Sequence, residues 1–302
     1  MHRAFRLPAA ALVFVVYWVS GDLADAGRTR AEAAKPWASV KGPAPGKAES
    51  IGSYGNGCLR GGKALPLKGL GYQVARPWRR RHFAHPQLIA VIERLGKKLA
   101  AGAEGLLLVA DLGQPRGGPA PSGHASHQSG LDADIWFWTP QKATSHLTNS
   151  ALRKLQPRPV VAHGRPTPAW SARVGKLLRW AASDQRVARI FVNPHIKRQL
   201  CQSVSGERGW LGKLRVWWGH DAHFHIRLSC PVGSPDCKDQ EKLPAGDGCD
   251  QVAHWLSAAS AKARQSTLSR YRQRLEGWPE LPTRCAGLLA GPARLPPQKA
   301  EK

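Results

Sequence analysis

Two short stretches hold most of the side chains that can do chemistry. The first is Ser122-Gly123-His124-Ala125-Ser126-His127-Gln128-Ser129-Gly130-Leu131-Asp132-Ala133-Asp134, and the second is Trp217-Trp218-Gly219-His220-Asp221-Ala222-His223-Phe224-His225. Imidazole nitrogens and carboxylate oxygens suit a zinc ion, which takes four groups in a tetrahedron and, in a catalytic site, leaves one position to water. His127 in a loop, Asp134 at the start of the following strand and a histidine of the second stretch can supply three ligands from three directions. Residues 223–228 alternate between polar and apolar. His223, His225 and Arg227 therefore share one face, with Phe224, Ile226 and Leu228 on the other. Both histidines then look into one cleft, one to bind metal and its neighbour to move a proton.

The elements that must carry these side chains are legible in part. Leu88, Val91, Ile92, Leu95 and Leu99 recur at helical spacing just after Pro86, as do Trp170, Val174, Leu177, Leu178 and Ala181 further on. The short apolar runs Leu106 to Val109, Asp134 to Trp138 and Arg189 to Val192 are bounded by Gly, Pro or Asp and predict buried strands. Gly113 to Gly123 is a long Gly/Pro-rich loop leading straight into the histidines, and loops of that length are usually functional or disordered. Strands and helices without regular βαβ alternation predict an α+β domain.

The chain opens on a basic stretch with Arg3 and Arg6, an apolar run from Leu7 to Val19, and the small-x-small sequence Ala24-Asp25-Ala26. That order predicts a secretory signal peptide over residues 1–26, too short to span a bilayer as an anchor. Residues 27–49 lack an apolar period and predict a flexible leader. Residues 50–288 make one domain, and 289–302 a disordered tail. The formal net charge of +25 survives signal cleavage, because Arg3 and Arg6 cancel Asp22 and Asp25. Such a surplus favours anionic partners, and export argues against nucleic acid as one of them. The densest basic cluster, Trp78-Arg79-Arg80-Arg81-His82, reads as a solvated loop. Six cysteines with no Cys-x-x-Cys pair, in an exported chain, read as disulfides rather than a metal site, although six allow 15 pairings.

The two motifs resemble the signature of the penicillin-insensitive murein endopeptidases: His124-Ala-Ser-His127-Gln-Ser-Gly130-Leu-Asp-Ala-Asp134, then His220-x-x-His223-x-His225. The resemblance extends to Ser50-Ile51-Gly52-Ser53-Tyr54, Asn56-Gly57-Cys58, Arg189 to Pro194 and Asp247-Gly248-Cys249. More broadly the chain is similar to the lysostaphin and D-Ala-D-Ala carboxypeptidase group of zinc peptidases, which implies an α+β fold with an antiparallel sheet core carrying the zinc site, flanked by helices and stapled by disulfides. The resemblance implies His127, Asp134 and His225 as zinc ligands. His124 is either a further ligand or a hydrogen-bonding partner behind the ligands. His223 becomes the free histidine, for proton transfer or oxyanion stabilisation, with His220 alongside. Asp132 is expected to orient a histidine from behind. Some members of the family hold a second metal on an Asp and a His between the motifs; residues 156–164 lack that Asp-x-x-His pairing, leaving His163 on its own.

The resemblance also implies the disulfides Cys58–Cys285, Cys201–Cys249 and Cys230–Cys237, a periplasmic location, and hydrolysis of D-alanyl to meso-diaminopimelyl cross-links in peptidoglycan. No serine is acylated in such a reaction, so β-lactams have nothing to trap. Two rivals follow from composition. A wall-binding module with structural zinc would call for four protein ligands, usually with cysteine. A secreted zinc nuclease would usually call for two metals, and the sequence offers one good site.

Overall fold

The computed structural model describes residues 30–121, 124–140, 145–260, 262 and 280–291. The expected signal peptide and most of the expected tail lie outside these residues. Three small antiparallel pairs sit beside one large sheet: β1 (Glu49–Gly52) with β2 (Gly57–Arg60), β3 (Lys63–Ala64) with β6 (Phe83–Ala84), and β9 (Val161–Ala162) with β10 (Arg165–Pro166). The large sheet holds seven strands: β4 (Lys68–Gly69), β5 (Tyr72–Val74), β7 (Leu107–Val109), β8 (Asp132–Trp136), β11 (Val187–Val192), β12 (Leu214–Val216) and β13 (His223–Leu228), in the order β12-β11-β13-β8-β7-β5-β4. The architecture is α+β, as expected, but the sheet is mixed rather than antiparallel. β11 runs parallel to β12, and β5 parallel to β7. The strands that carry the chemistry, β11, β13 and β8, are antiparallel to one another.

Alternation along those strands divides the sheet into two faces. Ala133, Ile135, Phe224, Ile226 and Leu228 point into the main core, against the apolar stripes of α2 (Pro86–Ala101) and α4 (Ala172–Ala182). Both helices match the sequence spacing, and α2 starts where Pro86 occupies the first turn and the His85 ring accepts a bond from the Gln87 amide. Asp132, Asp134, His223, His225 and Arg227 take the opposite face. β13 spans the residues its alternation predicts, whereas β8 begins at Asp132, two residues before the expected start. Its partner Arg227 on β13 holds it in register that far.

The expected leader is part of the fold from Arg30 onward. A helix, α1 (Arg30–Ser39), buries Ala34 and Trp37 and packs Trp37 beside Ile51 and the Cys58–Cys285 disulfide. One tryptophan and one alanine give no period to read, so this helix is invisible in the hydrophobic pattern. The domain also runs past residue 288: the C-terminal helix Thr283–Ala290 is closed by the buried Arg116 guanidinium, which donates to the carbonyls of Leu288, Leu289 and Gly291. All three implied disulfides are present: Cys58–Cys285, Cys201–Cys249 and Cys230–Cys237. The first joins residues 227 positions apart, a loop closure worth about 5 kcal/mol in the chain-entropy account.

Candidate metal centre

Register brings the two motifs together. Asp134 pairs with His225 across β8 and β13, Asp132 pairs with Arg227, and Trp136 pairs with His223. The preceding loop reaches the same point through a sharp turn. His127 adopts φ +70°, a left-handed conformation uncommon for a residue with a side chain, and its amide donates to Asp132 Oδ2 at 3.0 Å. Gly130 follows at φ +73°. A Cβ there would collide with the Leu59 side chain, so the motif needs glycine at this position. His220 is likewise left-handed, at φ +50°. Its carbonyl accepts from the Asn193 amide, and its Nδ1–H donates to the Trp218 carbonyl, which leaves Nε2 for other work.

Asp134 is the focus of the cluster. His225 Nδ1 lies 3.2 Å from its Oδ1, His127 Nε2 3.5 Å and His223 Nε2 3.7 Å, while His124 Nδ1 lies 3.3 Å from Oδ2. His124, His127 and Asp134 place one ligand atom each within 4.8 Å of one another, the spread expected around a single ion. Among the described residues no other group of this kind occurs, and His163 sits exposed in the turn between β9 and β10. Both ring nitrogens of His127 and one oxygen of Asp134 are buried without a hydrogen-bond partner. Buried polar atoms are seldom left so, and a cation at this point would take one His127 nitrogen and the Asp134 oxygen.

Each flanking histidine turns its second nitrogen to a carboxylate. His225 Nε2 lies 3.2 Å from Asp132 Oδ1, and His124 Nε2 is 2.8 Å from Asp111 Oδ2. Asp132 is fully buried and gripped by Arg227 through Nε at 2.7 Å and Nη2 at 2.9 Å. Asp111, also buried, takes Arg79 at 2.6 Å and Arg81 at 3.6 Å. The basic cluster at 78–82 is therefore no solvated loop. Arg81 is buried, and burial together with Arg80 pushes His82 down to about 4. Asp132 stands behind His225, where an orienting group is expected, whereas Asp111 is a group the motifs do not announce: its one visible sign in the sequence is a lone aspartate ending the apolar run Leu106 to Ala110.

The electrostatics follow from crowding. Burial works against ionisation of Asp132 and Asp134, yet the surrounding Arg227 and histidines hold both carboxyls well below the usual range. Burial pushes His127 and His223 down, and takes His220 to about 3 with help from His223 and His225. These rings stay neutral, the form that binds metal and accepts protons. For His225 burial is outweighed by Asp132 and Asp134, which raise it to about 9. Among the sequence candidates, His124, His127, Asp134, His223 and His225 converge directly. His220 stacks behind, its ring centre 4.9 Å from that of His223.

Comparison with known proteins places this geometry in a family. Residues 50–290 match the family described as penicillin-insensitive murein endopeptidase. Proteins of that name are similar over most of their length. The one from Yersinia enterocolitica is 42% identical over 277 residues, covering 90% of this chain and 96% of the relative. The Klebsiella pneumoniae protein is 46% identical over 239 residues, covering 78% and 85%. The one from Haemophilus influenzae is 46% identical over 224 residues, covering 73% and 78%.

Proposed function

This chain belongs to the penicillin-insensitive murein endopeptidase family, and from that premise we propose that it is a zinc peptidase. Its proposed reaction is hydrolysis of the D-alanyl to meso-diaminopimelyl cross-links of peptidoglycan. The observation that carries the proposal is the convergence of histidine nitrogens on Asp134, with His127 buried and otherwise unpartnered. His127, Asp134 and His225 hold the ion, and His124 lies at the rim as a candidate fourth nitrogen. A zinc ion held there supplies Lewis-acid polarisation of the peptide carbonyl and an activated water near neutral pH.

The chain's own residues do the rest. Asp132 fixes which nitrogen His225 offers to the ion, because Nε2 faces Asp132 and Nδ1 faces Asp134. His223 is more open than His225, with 31% of its side chain exposed against 7%, so it can meet substrate. Kept neutral by burial, it is suited to take a proton or to donate to a developing oxyanion. His220 steadies it. No serine is acylated, which agrees with the insensitivity to penicillin in the family's name.

A periplasmic location fits three disulfides. No helix of the described residues is long and apolar enough to cross a membrane. The test pairs two variants on cross-linked muropeptides, with mass spectrometry of the products. His225→Ala should lose zinc and turnover together. His223→Ala should keep most of its zinc and lose turnover by about 100-fold or more. Equal zinc loss in both, or products cut at another bond, would refute the proposal.

A further inference from the structure

Three arginines lie over three tryptophans on segments that adjoin the histidine cluster. Arg158 Cζ stands 3.9 Å from the ring centre of Trp138, Arg153 4.6 Å from that of Trp78, and Arg76 5.2 Å from that of Trp136. Each pair is tied to the site by a different element. Trp136 follows Asp134 by two residues on the same strand face and pairs with His223. Arg158 precedes Val160 by two residues, and the Val160 amide donates to the Asp221 carbonyl, between His220 and His223. Arg153 belongs to α3 (Asn149–Lys154), whose Leu152 packs with Ala75 and Trp136.

These arginines differ from others around the site. Arg79 and Arg81 hold Asp111, and Arg227 holds Asp132. Apart from the indole rings, the guanidinium groups of Arg76, Arg153 and Arg158 make no hydrogen bond or ion pair with any other described residue. Stacking on indole fixes the plane of a guanidinium and leaves its in-plane N–H donors open, a preorganised fork for a carboxylate. Arg153 and Arg158 are exposed, while Arg76 is half-buried and within electrostatic reach of Asp111 and Asp134.

We infer that this arginine–tryptophan wall binds the free carboxylates of the substrate's peptide strands, with Arg76 holding the carboxylate nearest the scissile bond. The inference rests on the proposed function for the identity of the peptide, and it adds the residues that recognise it. A peptide with its carboxylates amidated would present no anion to the three forks and would be discriminated against.

The test is a binding titration that needs no turnover. The zinc-loaded protein is titrated with an uncross-linked stem peptide bearing free carboxylates, with the same peptide amidated, and with duplex DNA as a control anion. Wild type should bind the free-carboxylate peptide about 10-fold or more tightly than the amidated one, the scale of a charge-assisted bidentate contact. Arg76→Ala and the double variant Arg153→Ala, Arg158→Ala should each shrink that preference while keeping the wild-type zinc content, which reports an intact fold. Arg76→Lys should recover only part, since a point charge lacks the fork. Equal wild-type binding of both peptides, an undiminished preference in the variants, or tighter binding of DNA than of the peptide would overturn the wall. Cleavage of cross-linked muropeptides without any carboxylate preference removes the wall alone; the preference without cleavage removes the proposed function alone.

Discussion

Asp134 is served from two flanks that use the same relay, histidine to carboxylate to arginine, on different frames. On the strand flank, His225, Asp132 and Arg227 all lie in β8 and β13, and backbone register sets their spacing. On the loop flank, His124, Asp111 and Arg79 come from three separated segments, and side-chain bonds alone bring them together. The strand flank is also drier. Asp132 and Arg227 are both buried, whereas the side chain of Arg79 is 27% exposed and that of His124 18%. A ligand whose position is set by a sheet is held more precisely than one set by loops, so the strand flank should carry most of the zinc affinity.

The largest contrast should come from the histidines. His225→Ala is expected to abolish zinc retention after dialysis, while His124→Ala keeps zinc with weakened affinity; metal analysis by mass spectrometry of both variants checks this. Next come the carboxylates. Asp132→Asn strands the buried Arg227 charge and should destabilise the fold by about 3 to 5 kcal/mol in denaturant unfolding. Asp111→Asn leaves Arg79, which can reach water, beside the buried Arg81, so a loss of about 1 to 3 kcal/mol is expected there. Both should also weaken zinc binding by roughly 10- to 100-fold.

The smallest effect concerns acid. His82 sits beside Arg81 on the loop flank with its ring lowered to about 4 by burial and Arg80. The folded form thus prefers the neutral ring: its contribution is complete above the unfolded value near 6.5 and is lost as pH falls toward 4. Unfolding curves between pH 7 and 4 should show a shallower loss for His82→Phe than for wild type. A variant that tracks wild type throughout would show that His82 is not a source of the acid sensitivity.

The same contrast explains what the sequence could reveal. Alternation in residues 223–228 exposed the strand flank directly, because a period of two and a face of histidines coincide there. The apolar spacing in α2 and α4 was as clear. The loop flank left no such trace: Asp111, Arg79 and Arg81 join through contacts between segments about 30 residues apart, and nothing local predicts them. The α1 helix was hidden for a related reason, since it buries only Ala34 and Trp37, the latter packing against Gly118 and beside the disulfide. The parallel pairing of β12 with β11 and of β5 with β7 was equally unreadable, because the three-residue strands β12 and β5 carry too little pattern to fix direction.

The cluster around Asp134 is proposed to hold the zinc with which this chain cleaves peptides. Chelation and reconstitution test it most directly, with turnover of a cross-linked muropeptide followed alongside metal content. Stripping the metal should abolish cleavage, about one zinc per chain should restore it, and penicillin should leave the rate unchanged throughout. Cleavage that persists after complete metal removal, or that penicillin blocks, would contradict it.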